Sequence, residues 1–329
     1  MMLPVADLHC DLLCYLQNDP KRTVYDPLTR CSIPQLRAGN VVLQVMPMFT
    51  ETTPDSSKKG LAQAKIFRNL PKKHPDLFEI VDPSKPITST RIGILLACEN
   101  ASSLCSEADD LQRGLRRIDL IEQECGKMLY ISLTWNTENR FGGGALTNIG
   151  LKEDGEALVK FLHQKKIALD FSHASDYLAH DILNLIDRYS LEIPVIASHS
   201  NFRTICNAPR NLPDELAQEI IKRKGIIGLN FIRFFIGASD PSNLAKHIEH
   251  ALKIGCENQL CFGADFFYMD DVSPQYRKTP EEAFFPQLQD ASSYGYVLEL
   301  LKQHLHLSSQ TLRGIAFSNL HSFLADKIL

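Results

Sequence analysis

His9 and Asp11 form the first pair in the chain whose residue types and spacing could do chemistry. They follow a mostly apolar lead at residues 2–6 and lie two positions apart. If this segment is a strand, side chains alternate between its faces, so both would point the same way from one strand end. An imidazole and a carboxylate that converge make half of a site for a first-row metal. Taken alone, the pair is more typical of a solvated histidine followed by a helix-capping aspartate.

Further residues of the same chemistry come directly after apolar runs elsewhere in the chain. They are Glu99, His173, His199 and Asp265. Such side chains are costly to bury without partners, so their repeated placement at the ends of apolar runs is hard to explain by packing. We therefore expect them to share a site with His9 and Asp11.

The combined donor set predicts a dinuclear metal centre. His9, Asp11, Glu99, His173 and His199 offer three imidazoles and two carboxylates. These donors suit two divalent metals about 3.5–4 Å apart that share a bridging carboxylate and a hydroxide. Zinc is the first expectation, and manganese, iron or cobalt fit the same donor types. Asp265 is expected to be a further ligand, or a general acid and base that passes a proton to a leaving amine.

The elements that must position these residues are eight short apolar runs. The runs are continuous rather than alternating, as expected for strands covered on both faces. Because they alternate with helix-like stretches, they predict an α/β fold of the (β/α)8 TIM-like barrel type, with the polar residues on one rim. A doubly wound open sheet is the alternative. The runs lie at residues 3–8, 41–46, 92–97, 128–133, 167–171, 195–198, 226–230 and 260–264.

Between and after these runs, the pattern predicts helices and loops within a single domain over residues 1–329. Amphipathic stretches at 153–166 and 243–254 predict helices, the second followed by Gly255 as a C-terminal cap. Two extra helices are predicted at about 292–305 and 309–326. The stretches 51–60 and 83–90 are predicted to be loops. His247 and His250, three positions apart, are expected on a solvated helix face rather than in a second metal site.

Composition narrows the class of protein. The chain has 329 residues, 44% hydrophobic and 22% charged, with a net charge of -4. This charge balance does not favour nucleic acid or an anionic membrane as a partner. We expect neither a signal peptide nor a membrane-spanning helix. The nine scattered cysteines indicate reduced thiols in a cytoplasmic protein rather than a disulfide framework.

The motifs and their order resemble the membrane (renal) dipeptidase family, peptidase family M19 of the amidohydrolase superfamily. The resemblance runs nearly end to end, from the Asp-x-His-x-Asp motif to the Gly-x-Asp-Phe motif. The longest match joins a Ser-His-Ser motif to an Arg-Asn-x-Pro-Asp motif. The matching segments are Asp7-Leu8-His9-Cys10-Asp11, Cys98-Glu99-Asn100, Asp170-Phe171-Ser172-His173, Ser198-His199-Ser200, Arg210-Asn211-Leu212-Pro213-Asp214 and Gly263-Ala264-Asp265-Phe266.

The resemblance implies a role for each matching residue. His9 and Asp11 would bind one zinc ion, His173 and His199 the other, and Glu99 would bridge them together with a hydroxide. Asp265 would be the catalytic acid and base. Arg210 would pair with the C-terminal carboxylate of the substrate, for which a guanidinium fork is well suited. The family also implies a small peptide as substrate and a homodimer as the assembly.

Two departures from the family pattern concern the substrate pocket. Leu133-Thr134-Trp135 stands where the family has Leu-Thr-His, and Asp265-Phe266-Phe267-Tyr268 where it has Asp-Phe-Asp-Gly. The indole N–H of Trp135 can only donate, so it cannot replace a histidine that contacts the substrate carbonyl. Trp135 and Asn136 are expected to contact substrate. A metallo-dipeptidase is the first prediction, and an N-acyl-amino-acid or lactam hydrolase or an inactive metal-binding protein are the alternatives.

Overall fold

The predicted site residues lie at or just after the ends of short β-strands. The computed structural model describes residues 2–82, 85, 87, 90–237, 239–277 and 279–328, the side chains of 280 and 281 excepted. Its strands are short and mostly buried. They are β1 (Val5–Asp7), β2 (Val41–Phe49), β3 (Phe78–Ile80), β4 (Ile92–Glu99), β5 (Met128–Ser132), β6 (Ala168–Asp170), β7 (Val195–Ile196), β8 (Ile227–Leu229) and β9 (Leu260–Phe262).

Eight of these strands form a nearly closed parallel barrel. Their order is β7-β6-β5-β4-β2-β1-β9-β8, and β3 pairs with β4 outside this path. The remaining gap is closed by a parallel bridge between Ala197 and Ile227. A Cβ added to Gly228 or Gly263 would lie 2.0 or 1.9 Å from the Ser198 carbonyl oxygen. These two glycines therefore permit the close strand approach that closes the barrel beside His199.

Helices follow the strands, and all but the last pack outside the barrel. Their starts are marked by local signals, such as the Ser175 hydroxyl, which accepts from the Leu178 N–H. The helices are α1 (Leu12–Asn18), α2 (Ile33–Ala38), α3 (Ser56–Lys73), α4 (Leu111–Cys125), α5 (Glu153–Lys165), α6 (Asp176–Tyr189), α7 (Asp214–Lys222), α8 (Arg233–Ile236), α9 (Asn243–Lys253), α10 (Pro280–Ala283), α11 (Tyr294–Leu305), α12 (Ser309–Arg313) and α13 (Asn319–Lys327).

The apolar core has an outer and an inner part. The outer part fills the space between helices and strands. The inner part combines barrel residues such as Leu43 and Leu129 with Leu320, Phe323 and Leu324 of α13. The C-terminal helix therefore packs against the interior of the barrel rather than on its outer ring. A π-helical segment, Gly314–Ser318, connects α12 to α13.

The barrel prediction and its eight strands are confirmed, with ends that shift by a few residues. Strand β3 was not predicted, since three residues carry too little periodicity to be seen. The loop predicted at 51–60 is wrong in its second half, because α3 begins at Ser56. The loop predicted at 83–90 lies largely outside the described residues. Gly255 follows α9 with a φ of 86°, as a C-terminal cap requires.

One expectation about histidines is wrong. His247 does not face solvent but is fully buried. Its Nε2–H donates to the Ile236 carbonyl at 2.9 Å, and its Nδ1 accepts from the Phe202 N–H at 3.2 Å. His250 is only partly exposed and pairs with Asp214 at 2.8 Å. Within the described part of the chain, every helix is too short or too polar to cross a membrane.

Candidate metal centre

Six predicted residues meet at the carboxyl ends of the barrel strands. His9 and Asp11 follow β1, Glu99 ends β4, His173 follows β6, His199 follows β7 and Asp265 follows β9. His9 Nε2 lies 3.1 Å from Glu99 Oε2, 3.7 Å from Asp265 Oδ1 and 3.9 Å from Asp11 Oδ1. Five of these side chains are buried, and Asp11 is nearly so. The predicted donors therefore form one cluster on the rim where barrel enzymes carry their active sites.

Glu99 lies between the two sides of this cluster. Its Oε2 faces His9, whereas its Oε1 lies 2.9 Å from His173 Nε2 and 3.7 Å from His199 Nε2. Ligand atoms close enough to share one ion are offered by His9, Glu99 and His199, and by His9, Asp11 and Asp265. His9 belongs to both groups, whereas His173 belongs to neither and approaches the cluster through Glu99 Oε1.

The tautomer of His9 is set by Tyr130, which points into the barrel from the middle of β5. The Tyr130 hydroxyl donates to the Leu8 carbonyl at 3.1 Å. The same oxygen lies 2.8 Å from His9 Nδ1. Because the hydroxyl hydrogen is already used, the Nδ1–H of His9 must be the donor to Tyr130. The Nε2 atom of His9 is thereby turned toward the cluster.

His173 is held in the same tautomer by a neighbouring acceptor. Asn136 Oδ1 lies 2.8 Å from His173 Nδ1 and accepts its hydrogen. His199 Nδ1 lies 2.7 Å from Ser198 Oγ, which itself lies 2.7 Å from Asp170 Oδ2.

Asp170 also accepts from the Ser132 hydroxyl and from the backbone N–H groups of Ser172 and Ser198. With four donors around it, this carboxylate takes the Ser198 hydrogen. The Ser198 oxygen is then left to accept from His199 Nδ1–H.

These tautomers leave bare nitrogen lone pairs facing one another. His173 Nε2 and His199 Nε2 are 3.0 Å apart, and Glu99 Oε1 lies beside them. Such an arrangement is repulsive unless a cation lies among the atoms. His9 Nε2 and Asp11 Oδ1 are also buried without a hydrogen-bond partner. The residues present thus fit a divalent metal bound by imidazole nitrogens and carboxylate oxygens.

Charge within the cluster shifts the pKa values of its members in opposite directions. Burial lowers the pKa of His9, but Glu99, Asp265 and Asp11 outweigh it and raise the pKa to about 9. Burial acts to raise the pKa of Glu99, but the charges of His9 and His173 hold it well below its usual range. Burial and the charge of Glu99 raise the pKa of Asp11. The protein without metal thus places a proton on His9, which a metal would displace.

Asp265 occupies a different environment from the other carboxylates. Burial, aided by the charge of Glu99, raises its pKa to about 7, against the opposing charges of His9 and Arg210. The Asn230 amide donates to Asp265 Oδ2 at 2.9 Å, which leaves Oδ1 toward the cluster. A carboxyl group whose pKa lies near neutrality can both take and give a proton there.

The backbone at the site is held in unusual conformations. His173 has a φ of 67° and Asp265 a φ of 65°, in the left-handed region that non-glycine residues seldom occupy. The Thr134 hydroxyl donates to the His173 carbonyl at 3.2 Å, and the Asp265 N–H donates to the His9 carbonyl at 3.1 Å. Asp7 accepts from the backbone N–H groups of His9 and Ala264 and from the Tyr294 hydroxyl, all within 2.7–2.9 Å. This buried carboxylate connects the first and last barrel strands behind the cluster.

The residues predicted to contact substrate lie beside the cluster. Trp135 and Asn136 line a cavity of about 210 Å³ that also exposes Asp11, Glu99, His173 and Asp265. Arg210 is buried next to it. Its Nη1 and Nη2 donate to Ser200 Oγ at 2.9 Å and to the His199 carbonyl at 3.0 Å, and its Nε has no partner.

The sequence alone did not single out the groups that orient the histidines. Tyr130 lies within an apolar run, where an aromatic residue is an ordinary core residue. Ser198 and Asp170 appeared only as parts of matching motifs. A hydroxyl or carboxylate inside a buried strand was the available signal, because such a group needs a partner.

The chain is similar to known proteins over nearly its whole length. A model of the family "membrane dipeptidase (peptidase family M19)" matches residues 1–325. A crystal structure of a dipeptidase of family M19 superposes with a TM-score of 0.81 at 19% identity, covering 99% of both chains.

A metallopeptidase from Rhodobacter sphaeroides, bound to a phosphinate mimic of the dipeptide L-Ala-D-Ala, has a TM-score of 0.80 at 19% identity and covers 99% of this chain and 100% of its own. An amidohydrolase from Pseudomonas aeruginosa has a TM-score of 0.76 at 18% identity and covers 98% of this chain and 96% of its own. At identities of 18–19%, these similarities show a shared fold alone.

Proposed function

This chain belongs to the membrane dipeptidase family (peptidase family M19), whose members are metal-dependent hydrolases, and we propose that it is a zinc-dependent dipeptidase. In this proposal it hydrolyses the peptide bond of short peptides as a single domain over residues 1–329. The observation that carries the proposal is the placement of Glu99, which turns one oxygen toward His9 and the other toward His173 and His199.

The chain's own residues would hold two divalent ions. His9 and Asp11 would bind one, His173 and His199 the other, and Glu99 would bridge them, in keeping with the Nε2 atoms that face the cluster. When bound, the ions would polarise the scissile carbonyl and lower the pKa of a water molecule. Zinc is the first choice for these donors.

Asp265 would carry the proton in the reaction. Water adds to the scissile carbonyl carbon, the carbon–nitrogen bond breaks, and a proton must move from the water to the departing amine. Asp265 Oδ1 faces the cluster and its pKa lies at about 7, so it can accept the first proton and release it to the amine. The Asn230 amide at 2.9 Å holds this carboxyl group in place.

Arg210 would select substrates with a free carboxylate. It is a buried guanidinium beside the cluster with an unpartnered Nε–H. A buried cation that is only partly paired gains from an anionic ligand. Pairing with Arg210 would restrict the substrates to dipeptides and similar small molecules that carry a free carboxylate.

Asp265→Asn tests the central assignment. The amide keeps the shape of the side chain but cannot shuttle a proton, so we expect kcat for a dipeptide to fall by about 10²–10⁴-fold. Metal content, measured by elemental analysis, should stay within error of the wild type. Asp240→Asn, at an exposed position, is the matched control and should keep full activity. An Asp265→Asn enzyme that turns over at the wild-type rate would exclude this residue as the acid and base.

An N-acyl-amino-acid hydrolase acting at the same site is the second candidate, favoured by Trp135 in the wall of the cavity. Its substrates share the amide and the carboxylate but lack the free amine of a dipeptide. Assays of Ala-Ala against N-acetyl-alanine, with zinc, manganese or cobalt supplied, distinguish the two. Loss of both activities on chelation is expected, and failure of every substrate with every metal would remove the hydrolase assignment from this protein.

The setting proposed for the protein is the cytoplasm. All nine cysteines are free and eight are buried, in keeping with a reducing compartment. A homodimer remains an expectation from the family, which sedimentation of the purified protein would test.

A further inference from the structure

The cavity above the metal cluster is mostly apolar. It has a volume of about 210 Å³, and its floor consists of Asp11, Glu99, His173 and Asp265. The described residues that form the remaining wall include no lysine, arginine or further acidic residue. Asn136 and Tyr276 are its main other polar side chains. The Asn136 oxygen is already used by His173.

One wall of the cavity is a group of three aromatic rings. Trp135, after β5, lies between Phe49 and Tyr276, with ring centroids 5.3 and 5.1 Å away. Its ring is also 5.9 Å from that of His173. The aromatic surface therefore begins directly beside a proposed metal ligand.

A second apolar wall comes from the other side of the barrel. Ile232 and Phe235 follow β8, and Phe267 follows β9, strands that lie away from β4 and β5 in the barrel order. Phe235 also covers Arg210, whose guanidinium carbon is 5.7 Å from the ring centroid. Apolar surface thus lies near both the metal cluster and the proposed carboxylate site.

We infer that this site takes dipeptides with apolar or aromatic side chains and rejects charged ones, and that Trp135 is a specificity-determining residue. The inference rests on the proposed dipeptidase function and deepens it. An apolar side chain gains by leaving water for these walls. A lysine or aspartate side chain in the same place would lose its hydration, because the walls offer it no opposite charge.

The first test is a substrate series. Hydrolysis of Ala-Xaa and Xaa-Ala, with Xaa as Gly, Leu, Phe, Lys or Asp, is measured with the zinc-loaded enzyme. We expect kcat/KM for the Leu and Phe peptides to exceed that for the Lys and Asp peptides by at least about tenfold. The two series show on which side of the scissile bond the discrimination lies.

The second test substitutes Trp135 in the aromatic wall of the cavity. In Trp135→Ala the ratio of kcat/KM for the Phe peptide to that for the Gly peptide should fall by about tenfold, since an aromatic contact is lost. Trp135→Phe keeps an aromatic surface and should retain most of the ratio. Leu120→Ala, at an exposed position on α4, is the control for a loss of apolar surface outside the site.

Binding can be followed without turnover, because Trp135 is the single tryptophan of the chain. A phosphinate analogue of Ala-Phe should change the fluorescence of the wild-type protein at a concentration about tenfold lower than the analogue of Ala-Asp. This readout separates poor binding from slow chemistry.

The possible outcomes distinguish a failure of this inference from a failure of the proposed dipeptidase function. Hydrolysis of the charged and apolar peptides at equal kcat/KM would overturn the inference and leave the dipeptidase proposal standing. An unchanged ratio in Trp135→Ala would remove Trp135 as the determinant. If no dipeptide of either series is hydrolysed and no analogue binds, the dipeptidase proposal fails and this inference fails with it.

Discussion

At the scale of single residues, the three histidines are alike in one respect. Each gives its Nδ1–H to a side-chain oxygen: the Tyr130 hydroxyl, the Asn136 amide oxygen or the Ser198 hydroxyl. All three Nε2 atoms are therefore turned toward the cluster. Groups of this kind fix ring orientation and raise the basicity of the ligand.

Tyr130→Phe isolates this effect at His9. The substitution keeps the ring inside the barrel but removes the hydroxyl that accepts from His9 Nδ1. We expect metal affinity to fall by about 10–100-fold, measured by competition with a chromogenic chelator. The loss should be in affinity, with stoichiometry regained at high metal concentration.

The control for Tyr130→Phe is Tyr15→Phe. Tyr15 is also buried, and its hydroxyl donates to Asp26, which is not among the ligands. It should lower metal affinity little or not at all. Equal affinities for Tyr130→Phe and the wild type would mean that Tyr130 fills the barrel without orienting His9.

At the scale of elements, the strands were easier to predict than what lies between them. A strand covered on both faces must be continuously apolar, so β4 and β5 were visible in the sequence. The start of α3 was not, because its first turns are rich in Ser and Lys, which read as a loop. Strand ends pointed to the proposed metal ligands, whereas Tyr130 was hidden because its partner lies far away in sequence.

Helix α9 carries the buried His247, which should make stability depend on pH. Burial lowers the pKa of His247 to about 4, with the nearby His250 adding to this and the Ile236 carbonyl opposing it. Above pH 6.5 the residue is neutral in both states. Between pH 6.5 and 4 the unfolded chain binds the proton first, so the native state loses up to roughly 3 kcal/mol as pH falls.

The measurement compares urea unfolding of the wild type and His247→Gln at pH 7.5 and pH 4.5. Glutamine can hydrogen-bond but does not titrate. The free energy of unfolding of the wild type should drop more between these pH values than that of the variant. A variant that loses as much stability as the wild type would show that other groups cause the acid sensitivity.

At the scale of the whole molecule, the proposed metal ligands come from strands all round the barrel. They follow β1, β4, β6, β7 and β9, so a bound ion would tie distant parts of the chain together. Without it, three carboxylates and three imidazoles are left facing one another in a buried space. Burial and the charge of Glu99 already raise the pKa of Asp11 there.

Removal of metal should therefore lower the unfolding temperature. At a free metal concentration of about 1,000 times Kd, binding adds about 4 kcal/mol to the stability of the native state. Calorimetry before and after chelation, with metal content checked by elemental analysis, measures the loss. Zinc added back should restore the original transition.

His9→Ala is the matched variant for the metal-removal experiment. It should lose one metal first and keep its fold, as judged by circular dichroism. A protein whose unfolding temperature is unchanged after complete metal removal would show that the cluster contributes nothing to stability.

The position of helix α13 has a consequence for how the protein is made. Leu320, Phe323 and Leu324 pack against the residues inside the barrel, yet the ribosome makes them only after all eight barrel strands. The interior thus stays incomplete during most of synthesis, with strand edges and apolar surface exposed. We expect nascent chains that stop before residue 319 to be bound by chaperones and to be sensitive to protease, although they already contain every proposed metal ligand.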